Sequence, residues 1–140
     1  MLAIDTNVIV RYLTSDHPEQ SPQARALIYT HAIFVGTTVL LETEWVLRAA
    51  YGYPTAQVGA ALRAFAGLPQ VILEDPALAA TALDGMASGM DFADALHLAK
   101  AEGCAAFVTF DKRLAKAAKE LSQVEVRQPE SAPGRGSNPT

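Results

Sequence analysis

At 140 residues the chain has room for one domain, and with half its residues hydrophobic it can build a real core. A formal net charge of −4 weighs against a free-standing nucleic-acid-binding module, which usually carries a basic excess. The single cysteine, Cys104, excludes an internal disulfide and a cysteine-based zinc site, and beside an apolar stretch it is expected to be a buried, inert thiol. No apolar run reaches the ~18–20 residues that span a bilayer. Met1-Leu2-Ala3-Ile4-Asp5 lacks the basic start of a signal peptide, so the expected location is the cytoplasm.

In chain order, Leu2-Ala3-Ile4 reads as a buried strand, and Asp5-Thr6-Asn7 as the cap of a helix with Val8, Ile9, Tyr12 and Leu13 inward. Ser15-Asp16-His17-Pro18 breaks it, and a second helix runs from about Ser21 to Tyr29. Ala32–Val35 is a second strand. Thr37 or Thr38 caps a third helix through Ala50, stopped at Tyr51-Gly52-Tyr53-Pro54. A helix from Thr55 to about Ala66, a strand at Val71–Leu73 and a helix opened by Asp75-Pro76 follow. Asp91 caps the next helix, Phe92 to Glu102. Ala106–Thr109 is a strand, about Lys112–Leu121 a helix, and Val124–Val126 a last edge strand. From residue 128 to 140 the Pro, Gly, Ser and polar composition predicts a disordered tail. Strands alternating with helices predict an α/β fold, three layers around a mainly parallel sheet of four to five short strands, over residues 1–127.

In such sheets, sites form beyond the carboxyl ends of the strands. Asp5 and Asp111 each stand at such an end, and each is also a good helix cap. Glu42 shares a helix stripe with Val39, Trp45 and Val46, where an acid needs a partner from elsewhere. Glu44 has Arg48 four residues on, the geometry of a solvated ion pair, so Glu42 is preferred for a site. Asp91 and Asp94 are three apart at a helix start; Asp91 reads as the cap and Asp94 as a site residue with Asp91 in support. Thr6, Asn7 and Thr109 are placed to orient these carboxylates or contact substrate. Lys112 and Arg113 can meet phosphate or lie solvated, and His97 is nearer to surface than to ligand. Trp45, Tyr51 and Tyr53 are expected in the core. Oxygen-only acidic donors suit Mg²⁺ or Mn²⁺.

The motifs Leu-Ala-Ile-Asp-Thr-Asn, Leu-Leu-Glu-Thr-Glu-Trp-Val-Leu-Arg, Asp-Phe-Ala-Asp-Ala-Leu and Val-Thr-Phe-Asp, in this order, closely resemble PIN-domain proteins, and within them the VapC-type toxins of toxin–antitoxin pairs. The resemblance covers about residues 1–127. It implies that Asp5, Glu42, Asp94 and Asp111 form an acidic site of a Mg²⁺- or Mn²⁺-dependent endoribonuclease. It also implies a homodimer, a VapB-like antitoxin whose C-terminal segment enters the acidic groove, and higher assembly once that partner is bound. Two rivals stand beside it. An aspartyl-phosphate phosphotransferase would want an acid where Asn7 stands, and a degenerate nuclease would serve as a non-catalytic interaction module.

Overall fold

In a computed structural model of the chain, residues 1–122 and 124–130 are described. They hold five strands and seven helices: β1 (Leu2–Ala3), α1 (Thr6–Thr14), α2 (Gln20–Thr30), β2 (Ile33–Val35), α3 (Thr37–Trp45), α4 (Thr55–Ala66), β3 (Val71–Leu73), α5 (Pro76–Ala87), α6 (Phe92–Lys100), β4 (Phe107–Val108), α7 (Lys112–Leu121) and β5 (Val126–Arg127). Helix α3 runs on into a π-helical turn, Val46–Ala50. Most of the expected tail, 131–140, lies outside the described residues. No described helix is long and apolar enough to cross a membrane.

Every strand pair is parallel, as expected for strands joined by helical crossovers. Strand β2 is central: Leu2 of β1 pairs with Ile33, and Ile33 in turn with Val71 of β3. The five strands were expected in one sheet. Among the described residues they form two hydrogen-bonded groups, β1-β2-β3 and β4-β5. Strands of two or three residues supply few ladder bonds, so helices carry much of the cohesion. Helix α1 packs on α2 and α3, α4 on α5 and β3, and α5 closely on α6. Ile9, Ile28, Ile33, Val35, Leu62, Phe65 and Phe92 are fully buried between these layers, and the fold is the α/β type that the alternation predicts.

Two local expectations are corrected. Helix α3 is entered from Gly36 and makes no side-chain cap of its own. Instead Glu74, the residue after β3, accepts from the Thr37 N–H at 2.8 Å, so a carboxylate from the neighbouring strand end serves that terminus. Cys104 is exposed rather than buried. It lies in the turn leaving α6, where Gly103 takes φ +90° and the Cys104 N–H donates to the Ala101 carbonyl. The strand that would have buried it starts only at Phe107.

Candidate active site

Because β1, β2 and β3 are parallel, their carboxyl ends share one edge of the sheet. Asp5 leaves β1 there and caps α1, its Oδ1 accepting from the Thr6 N–H at 2.7 Å. Thr6 is itself buried, and its hydroxyl donates to Glu42 Oε1 across to α3. That bond is the partner Glu42 was expected to need, and it ties Glu42 to the residue beside Asp5. The face is different from the one expected, however. Glu42 is exposed and Trp45 is 56% exposed, while Val39 and Val46 are half-buried, so the apolar stripe around Glu42 lies at the rim of the core and not within it. Asn7 is exposed next to Asp5. Tyr51 and Tyr53 are half-buried and stacked, centroids 5.7 Å apart.

The second half of the site is built on α6 and α7. Asp91 caps α6 by accepting from the Asp94 N–H at 3.1 Å. Asp94 is half-buried one turn in. Burial, then the charges of Asp91 and Asp111, raise its pKa above the ordinary carboxylate value, against a smaller opposing pull from His97. Asp94, Asp91 and Asp111 therefore lie within one negative field. Asp111 caps α7, its Oδ1 accepting from the Arg113 N–H at 2.9 Å and the Leu114 N–H at 3.1 Å. Thr109 accepts from the Asp111 N–H at 3.0 Å, so it holds the backbone of that turn and not the carboxylate. Lys112, Arg113 and His97 are exposed.

The acids are thus assembled as two neighbourhoods, Asp5–Thr6–Glu42 and Asp91–Asp94–Asp111, joined by the packing of α3 on both α1 and α6. Among the described residues no three carboxylates or imidazoles already surround one point as metal ligands. The donor chemistry nevertheless fits a hard divalent cation: every donor is oxygen, and Asp94 carries the like-charge strain that such a cation relieves.

The larger correction concerns Glu44. It is not a solvated partner of Arg48 but one of the most deeply buried side chains, 2% exposed. Arg48 Nε donates to its Oε2 at 2.8 Å and Nη2 to its Oε1 at 3.4 Å. This bond, ahead of the opposing effect of burial, raises the pKa of the guanidinium. Glu74 was not singled out from the sequence, although like Asp5 and Asp111 it follows shortly after a strand, and that placement was the available signal.

The sequence matches the PIN domain family over residues 2–120, and the chain belongs to that family. PIN domains are generally nucleases, and usually use divalent metals. Among curated proteins none matches it.

Proposed function

We propose that the chain is a Mg²⁺- or Mn²⁺-dependent endoribonuclease of the VapC type, the toxin of a toxin–antitoxin pair. The observation that carries this reading is the placement of the acids in a chain of the PIN family: Asp5 and Asp111 cap the helices that follow strand ends and Asp94 is half-buried in the first turn of α6, its pKa raised by burial and by Asp91 and Asp111. In this reading Asp5 and Asp94 would be the principal cation ligands, Asp111 would hold a second ion or its waters, and Glu42, oriented by Thr6, would hold a water or take its proton. A divalent cation bound there would supply Lewis-acid stabilisation of phosphoryl charge and a lowered pKa for a bound water. Asp91 and the Asp111 cap bonds keep the two ligand-bearing helix starts in place. In the same reading the protein is a cytoplasmic homodimer neutralised by a VapB-like antitoxin, with larger assemblies when that partner binds.

The rival, a non-catalytic interaction module, draws on Phe110 and Val108, which are 84% and 52% exposed beside Asp111. Incubation with mixed single-stranded and structured RNA separates the two. Cleavage to 5′-phosphate and 3′-hydroxyl ends is expected with Mg²⁺ or Mn²⁺, and loss of cleavage with chelator and in Asp5→Asn and Asp94→Asn. Cleavage unchanged by chelator and by both substitutions refutes the metal mechanism. A wild type that binds a protein partner yet cuts no RNA establishes the interaction module.

A further inference from the structure

Glu44 and Arg48 stand four residues apart on one helix, where an exposed pair contributes only about 0.3–0.5 kcal/mol. Such a pair has no need of burial, and an almost fully buried carboxylate is costly unless its partner stays in place. Yet the Glu44 side chain is 2% exposed while Arg48 is 37% exposed. The acid is sunk into the core and the guanidinium faces outward. Arg48 also lies in the π-helical turn Val46–Ala50, a backbone distortion that re-aims side chains and recurs at functional sites.

The guanidinium is aimed at the candidate site. Its Nη2, besides bonding Glu44, stands 4.0 Å from Asp91 Oδ2. Asp91 uses its other oxygen, Oδ1, to accept from the Asp94 N–H. A continuous series of polar contacts therefore runs from buried Glu44 through Arg48 and Asp91 to the backbone of Asp94. Arg48 and Asp91 also line one cleft of about 760 Å³ with Arg63, Arg113 and Glu44, so Arg48 has open space to swing into once unanchored.

We propose that Arg48, anchored by Glu44, is a positioning residue. It holds the Asp91 carboxylate in its capping orientation and thereby fixes the first turn of α6, where Asp94 stands. The role rests on the metal-dependent reading of Asp94 for its catalytic consequence, but not for its structural one. The Arg48–Asp91 contact is long and exposed, so its effect is on orientation more than on global stability.

The experiment compares Arg48→Met, the double variant Glu44→Gln/Arg48→Met, which leaves no lone buried charge, and Glu44→Gln, which keeps an acceptor for Arg48. Amide hydrogen exchange of the metal-free protein is followed at Asp94 and at Leu98 in the same helix, alongside Mn²⁺ titration and RNA cleavage kinetics. In both Arg48 variants the Asp94 amide is expected to exchange faster relative to Leu98. Mn²⁺ affinity and kcat are expected to fall about 10–100-fold, the usual range for outer-sphere partners of a metal site, with KM for RNA within about threefold. Glu44→Gln keeps one of the two acceptor oxygens that Arg48 uses and loses the charge, so its losses should fall between those of wild type and the Arg48 variants in all three. A folded double variant with wild-type Asp94 protection and Mn²⁺ affinity overturns the positioning role. If the wild type neither binds Mn²⁺ nor cuts RNA, the metal reading fails on its own, and the exchange at Asp94 still decides the part played by Arg48.

Discussion

Gly85 of α5 faces Ala95 of α6 closely, and replacing it by alanine sets two effects against each other. In an exposed helix interior, Gly→Ala stabilises by about 0.8–1 kcal/mol through helix propensity. Here a Cβ at position 85 would stand 3.0 Å from the Ala95 Cβ and 3.9 Å from Met90 Sδ. Carbon atoms prefer about 3.5–4.0 Å, and Ala95 is buried with no side-chain rotamer to yield, so the two helices must separate. Overpacking of this kind costs about 1–3 kcal/mol. The clash wins, and Gly85→Ala is expected to destabilise by roughly 1 kcal/mol once the propensity gain is subtracted. The decisive assay is a double-mutant cycle by urea unfolding with Ala95→Gly. The pair exchanges the methyl between helices and relieves the clash, so the coupling should reach about 1–3 kcal/mol in the stabilising direction. Additivity within about 0.5 kcal/mol would refute the claim that these backbones touch.

Asp94 gives a pH prediction whose sign follows from its raised pKa. Because the folded state holds this proton more tightly than the unfolded chain, its contribution to stability is full below the ordinary carboxylate pKa and is lost as pH rises through the higher folded value. Metal-free Asp94→Asn should therefore gain stability over wild type near neutral pH and lose that advantage towards pH 4, as read by thermal unfolding; an advantage independent of pH would contradict the assignment. Added Mn²⁺ should reverse the order by stabilising wild type and not the variant. Asp75→Ala removes the bond from the Leu78 N–H to Asp75 Oδ1, 3.0 Å long, and should lower stability by about 0.5–2 kcal/mol in denaturant titration; no measurable loss would mean the cap is idle.

The elements of this fold were legible because their ends are chemically marked. Asp5, Asp75, Asp91 and Asp111 all cap the helices they were expected to cap, and Gly or Pro residues sit in the turns between. What the sequence could not convey was which side of α3 faces inward. Helical spacing put Glu42 with apolar neighbours and gave Glu44 a partner one turn on. Orientation is decided by what packs against the helix, and α1, α4 and α6 all press on α3. The same limit applied to Cys104, whose burial hung on a strand that starts three residues later. At the site, strand ends pointed to Asp5 and Asp111, while the closeness of Asp94 to Asp111 came only with the fold. The grouping of five parallel strands into two ladders left no trace in their composition.

That grouping has a mechanical consequence. Within a ladder, backbone hydrogen bonds lock neighbouring strand ends to a fixed register. Asp5 rides on β1 and Asp111 follows β4, which belong to separate ladders. The span between the two acids is therefore maintained by side-chain packing, through α3 and α6, and not by a shared backbone lattice. The acidic edge is like a vice whose jaws are mounted on different blocks, so its width depends on how α3 and α6 pack.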